Sequence, residues 1–153
     1  MIRVPFRFPE PAPLSGLASR PSYPWFVVAA VSIGAFIGQA DASIVQLALP
    51  TLETAFDAPL HAVSWASVAY MLAFACALPP FARLADIAGR KTLYLAGFAL
   101  FGIGSVLCGL APSLGWLIVF RLLQGAAGAL LGANSVAIIV AAAGPARRRR
   151  LSA

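Results

Sequence analysis

Hydrophobic positions in this chain fall in long unbroken runs, not in the alternation of a half-buried strand. The first, from Trp25 to Leu49, ends at Pro50. Others cover residues 62–81, 92–110 and 114–142, with Pro79 and Pro80 near the end of the second. About 20 residues at 1.5 Å each cross a hydrocarbon layer of about 30 Å. The runs therefore predict four transmembrane helices, an all-α polytopic membrane protein. A membrane barrel would need shorter segments of alternating polarity.

Composition supports lipid as the main solvent. Of the 153 residues, 61% are hydrophobic and 10% charged, against about 25% charged in ordinary soluble domains. Mean hydropathy is +0.88. Residues 1–24, rich in proline and carrying Arg3, Arg7 and Arg20, read as a tail without stable helix, and residues 143–153 as a basic tail. The first long apolar run starts only at Trp25 and has no small-residue cleavage site after a short stretch, so it reads as a retained span and not a secretion signal.

The net charge of +6 is distributed asymmetrically. Arg3, Arg7 and Arg20 precede the first span, Arg83, Arg90 and Lys91 join the second to the third, and Arg147 to Arg150 follow the fourth. The opposite links hold Glu53 and Asp57, or no charge at all. Cytoplasmic loops collect Lys and Arg, so both termini are expected in the cytoplasm, in a cell inner membrane. That reading absorbs the arginine run without nucleic acid as a partner. Trp25, Trp65 and Trp116 lie near span ends, where indoles anchor at the interface.

Two charges escape this account. Asp41 lies nine residues before Pro50 and Arg121 seven residues past Leu114, or about 13 and 10 Å in from the same side. An unpaired charge in lipid is costly, so each needs a partner or a water-filled cavity. Mutual pairing is one expectation, and an arginine snorkelling to the surface is the other. Gln124 is three residues after Arg121 and shares its face, whereas Gln46 is about 140° from Asp41 around an ideal helix. Gln39, Gln46, Gln124 and Asn134 suit either a water-lined path or interhelical hydrogen bonds. Gly34 and Gly38 in the first span, and Gly125, Gly128 and Gly132 in the fourth, are expected to let helices pack closely.

No set of residues here suggests hydrolytic chemistry. His61 stands alone at a span boundary, no phosphate-binding loop is present, and Cys76 and Cys108 have no ligand partners at metal spacing. No metal, cofactor or enzymatic activity is expected. A membrane carboxylate can instead take a proton from one side and release it to the other. A guanidinium beside it favours its charged form.

Three motifs now support a comparison. ARLADIAGRKTLYL, residues 82–95, is similar to the pattern G-x-L-A-D-R-x-G-R-K through Leu84, Ala85, Asp86, Gly89, Arg90 and Lys91, with Ala82 and Ile87 departing from it. LIVFRLLQGAAGA, residues 117–129, resembles R-x-x-Q-G through Arg121, Gln124 and Gly125. DASIVQLALP, residues 41–50, resembles the end of L-D-x-T-I-V-N-V-A-L-P, with Ala40 standing where leucine is common and Ser43 and Gln46 replacing threonine and asparagine. The chain thus resembles the first four helices of a major facilitator superfamily transporter, most closely the fourteen-helix drug:proton antiporter branch of EmrB/QacA type.

That resemblance implies proton-coupled efflux of drugs or other small molecules. It implies coupling roles for Asp41, Arg121 and Gln124, and a cytoplasmic loop built on Leu84, Asp86, Gly89, Arg90 and Lys91. The expected partners are the lipid bilayer, protons, an unidentified small molecule and further helices on another chain. The family fold has two six-helix halves, so four helices are expected to be a truncated transporter. The alternative is an inactive fragment, or a small membrane protein acting only through helix–helix contacts.

Overall fold

The computed structural model describes residues 22–151, so most of the expected tail at residues 1–24 lies outside the described residues, and its last two, Tyr23 and Pro24, already belong to the first helix. The helices are α1 (Tyr23–Phe56), the short α2 (Leu60–Val63), α3 (Trp65–Ala88), α4 (Arg90–Gly109) and α5 (Leu114–Leu151). Four helical stretches are long and apolar enough to cross a membrane: Trp25–Phe56, Leu60–Ala88, Arg90–Gly109 and Leu114–Ser135. The chain is a multi-pass, all-α membrane protein.

Three helices run past their expected ends. α3 continues through Pro79 and Pro80, beyond residue 81, to Ala88. α1 continues through Pro50 to Phe56. Proline removes one N–H from the helical ladder and crowds the carbonyl four residues back, here that of Gln46, and Pro50 and Gln46 are both exposed at this end of α1. The chain then turns at Asp57, whose φ of 46° and ψ of 49° are left-handed, a common way for a helix to stop. α5 likewise continues through the expected basic tail to Leu151. Alanine and arginine there are strong helix formers.

α5 is the centre of the bundle. It packs against α3, α4 and α1, while α1 and α3 barely touch. Half of its most apolar window (50%) is buried, against 11% for that of α1. Tyr70, Phe101, Ala127 and Leu131 form one core cluster, and Ala85, Ala88, Leu93 and Leu130 a second nearer the α3–α4 link. Outside, large apolar side chains such as Phe36, Leu47, Leu72 and Val106 are exposed. In water such a surface would aggregate, whereas in lipid it is ordinary solvation.

The α3–α4 link is one residue long. Gly89 ends α3 and starts α4 at φ 91° and ψ 128°, a combination that is strained for any residue with a Cβ. Asp86 and Arg90 close over it in an exposed ion pair of 2.9 Å.

Candidate functional site

The site begins with a helix that cannot bury an arginine alone. Arg121 is 2% exposed on α5, so its guanidinium must be satisfied by neighbours. It donates from Nη1 to Asp41 Oδ2 at 2.7 Å and to Gln124 Oε1 at 2.7 Å. Its Nε donates to the Ala66 carbonyl at 3.4 Å. The face of Tyr70 lies 4.7 Å from its central carbon, within reach of a cation–π attraction. Ala66 and Tyr70 are one turn apart on α3, so this helix supplies a carbonyl and a ring to one guanidinium.

Gln124 closes the cluster. It is fully buried, and its Nε2 donates to Asp41 Oδ1 at 3.0 Å. Its Oε1 accepts from Arg121 and, at 3.5 Å, from the Cys108 thiol of α4. Asp41 therefore has both oxygens engaged by α5, and the Gln124 amide is engaged at both ends. The Asp41 side chain is 17% exposed, so the carboxylate is the accessible member of the pair. Groups from α1, α3, α4 and α5 converge here, which makes the charge pair a tertiary lock and not a local helix feature.

Small residues make the approach possible. A Cβ on Gly104 would lie 3.1 Å from the Cβ of Gln124, and one on Gly125 would collide with the Tyr70 carbonyl. Gly128 and Gly132 face Tyr70 and Phe74, and Gly34 faces Tyr94. Gly38 departs from its expected packing role: a Cβ there would meet nothing within 4 Å. It borders a cavity of 190 Å³ also lined by Gly34, Gln39, Tyr70, Gly128 and Ser135.

The structure thus brings Asp41, Arg121 and Gln124 into one cluster. The snorkelling alternative for Arg121 does not hold, because the side chain is buried on three partners. The loop residues form a separate group at the α3–α4 link. Asp86 pairs with Arg90, Leu84 is exposed, Gly89 is buried, and Lys91 is half-buried. Gln46 is exposed on α1, away from the cluster. Asn134 donates to the Leu130 carbonyl at 2.7 Å and leaves its own Oδ1 buried without a partner among the described residues.

Sequence reasoning missed three members. Tyr70 was legible only as an aromatic in an apolar run, Ala66 contributes a backbone atom, and Cys108 reads as a small packing residue. The one available signal for Tyr70 and Ala66 was their i, i+4 spacing, which places both on one helix face.

Comparison with known proteins adds to this geometry. The profile of the Major Facilitator Superfamily matches residues 31–153. Multidrug resistance protein Stp of Mycobacterium tuberculosis is 38% identical over 113 residues, 74% of this chain and 21% of that protein. The tetracenomycin C resistance and export protein of Streptomyces glaucescens is 35% identical over 127 residues, 83% of this chain and 23% of its own. Riboflavin transporter RibZ of Clostridioides difficile is 34% identical over 115 residues, 75% of this chain and 25% of its own. The chain spans about a fifth to a quarter of the length of these relatives. No solved structure matches it.

Proposed function

This chain belongs to the Major Facilitator Superfamily, and from that premise we propose that it forms the proton-coupling portion of a transporter exporting drugs or other small molecules. The observation that carries the reading is the buried Asp41–Arg121 pair, bridged on its second edge by Gln124. A charge pair within the membrane is expensive to keep, and its usual use is a relay or a substrate path. Asp41 is the proton carrier. When it is charged, Arg121 and Gln124 hold it on α5. When it takes a proton, the attraction to Arg121 is lost, and Arg121 keeps Gln124, the Ala66 carbonyl and the Tyr70 ring. Protonation thereby loosens α1 from α5, the kind of two-state element that can couple proton binding to movement of cargo.

Orientation follows the charge asymmetry. The link carrying Arg83, Arg90 and Lys91 lies in the cytoplasm with both termini, in the inner membrane. Cargo is a small molecule: the names of the resistance and export proteins this chain resembles favour a drug, and the acidic Asp41 favours a cationic one. Further helices complete the transport path. The close packing of Gly125, Gly128 and Gly132 of α5 on α3 favours one other reading, an inactive transporter fragment or a membrane protein acting through helix contacts without transport.

The test is proton-driven efflux of a fluorescent cationic dye from cells producing this chain, against empty vector, with Asp41→Asn and Arg121→Ala at matched membrane levels. Efflux above vector that both substitutions abolish is the expected result. Stable insertion with no dye movement would leave the helix-contact reading in its place.

A further inference from the structure

The 190 Å³ cavity and the charge pair are neighbours with one residue in common. Neither Asp41 nor Arg121 lines the cavity; Tyr70 does, and its ring also faces the Arg121 guanidinium. The helix geometry explains the arrangement. Gly34, Gly38 and Asp41 lie on one face of α1, each about one or two turns from the next. Arg121, Gly128, Gly132 and Ser135 lie on one face of α5. The two faces meet, so the small residues open a space along the bundle from the pair, and Tyr70 belongs to both, lining the space and facing the guanidinium.

The direction of that space is defined by the chain. From Asp41 it runs back along α1 toward Gly34, and from Arg121 it runs on along α5 toward Ser135. Tyr94, one turn into α4, donates to the Val31 carbonyl at 3.4 Å. The Gly34 level of α1 therefore lies beside the beginning of α4, and the cavity stands between the charge pair and the end bearing Asp86, Gly89 and Arg90. Gln39, Tyr70 and Ser135 are among its lining residues, and no hydrogen bond engages the Gln39 side chain or the Tyr70 hydroxyl among the described residues, while the Ser135 hydroxyl donates to the Leu131 carbonyl. Its volume is room for several waters at about 30 Å³ each, and these groups give them partners.

We propose that this cavity is the hydrated access route to Asp41 from the side of the Asp86–Arg90 loop, and that the Tyr70 ring is its gate. The ring does two things at once. It holds the guanidinium against the carboxylate, and it separates the pair from the cavity. Rotation of the ring away from Arg121 opens the carboxylate to water on that side and weakens the hold on Arg121 in the same movement. The route rests on the proton-carrier reading of Asp41, and it adds the side from which the proton comes and the residue that controls it.

The test uses cysteine reporters in the full chain, in a Cys76→Ser, Cys108→Ser background. A charged, membrane-impermeant methanethiosulfonate reagent is applied to intact cells or to inverted vesicles. Ala82→Cys, exposed near the loop, and Ser113→Cys, in the opposite link, identify the two sides. Gly38→Cys has open space for its side chain and reports on the cavity. Asp41→Cys, one turn further along the same face, reports on the pair.

Gly38→Cys is expected to react from the side that labels Ala82→Cys. Asp41→Cys should be protected from reagent on the Ala82 side while Tyr70 or Tyr70→Phe is present, and should lose that protection in Tyr70→Ala. Gly38→Cys reacting only from the Ser113 side, or not at all, overturns the route, and this arm leaves the pair and the ring intact. Asp41→Cys reacting as fast with Tyr70 as with Tyr70→Ala overturns the gate. The labelling needs no transport, so loss of dye efflux with this pattern intact would count against proton coupling alone.

Discussion

Asp41 of α1 and Arg121 of α5, eighty residues apart in the chain, meet at 2.7 Å, and the arginine has almost no other access to solvent. Such a pair is asymmetric in its energetics. Removing one partner strands the other in a low dielectric, at a cost of about 3–5 kcal/mol, whereas removing both costs far less. Arg121→Ala and Asp41→Ala should therefore each destabilise the chain strongly in detergent micelles. The double substitution should be less destabilising than the sum of the two by more than about 1 kcal/mol. Reversible unfolding in a denaturing detergent measures this, and simple additivity would mean that the pair carries no coupling.

The second ion pair should behave in the opposite way. Asp86 and Arg90 also approach to 2.9 Å, but both side chains are about half exposed. A helical i, i+4 pair of that kind contributes about 0.3–0.5 kcal/mol and is screened by salt. Asp86→Asn is expected to leave the unfolding midpoint nearly unchanged at high salt. A loss as large as that of Arg121→Ala would show a buried role for the loop carboxylate.

The expected helices were legible because lipid imposes a simple rule: a long apolar run must satisfy its backbone internally, and a helix does so. The Asp41–Arg121 contact was partly legible for a related reason, since two opposite charges at similar depth have few alternatives to each other. The end of α1 was not. Pro50 is a sound stop signal in an isolated pattern, but the loss of one donor is small beside seven more residues of helix. The contributions of Tyr70, the Ala66 carbonyl and Cys108 depend on which faces of α3 and α4 turn toward α5, and long runs apolar all round give no stripe from which to read that.

Glycines illustrate the same limit, and they separate by substitution. Gly38 and Gly125 look alike in sequence, each in a small-residue stretch of a span. A Cβ on Gly38 meets nothing within 4 Å, while one on Gly125 collides with the Tyr70 carbonyl, which cannot move without its helix. Gly38→Ala should be neutral or stabilising by up to about 1 kcal/mol, the helix-propensity gain over glycine. Gly125→Ala should cost about 1–3 kcal/mol as α3 and α5 are forced apart. Equal effects in thermal unfolding would contradict the packing described for α5.

Gly89 is subject to a different constraint, in its backbone. Its φ of 91° with ψ of 128° lies outside the left-handed helical well that asparagine tolerates. Gly89→Ala and Gly89→Asn should therefore both destabilise the α3–α4 link, by about 1–3 kcal/mol each. Rescue by asparagine is the informative alternative, because it would place residue 89 in the ordinary left-handed region. The consequence should also reach the second core cluster. Ala85 and Ala88 on one side of the link pack with Leu93 on the other, so a changed turn displaces α4 against α5. Cysteine cross-linking between Ala88→Cys and Leu93→Cys, efficient in the native chain background and lost in Gly89→Asn, is the expected signature.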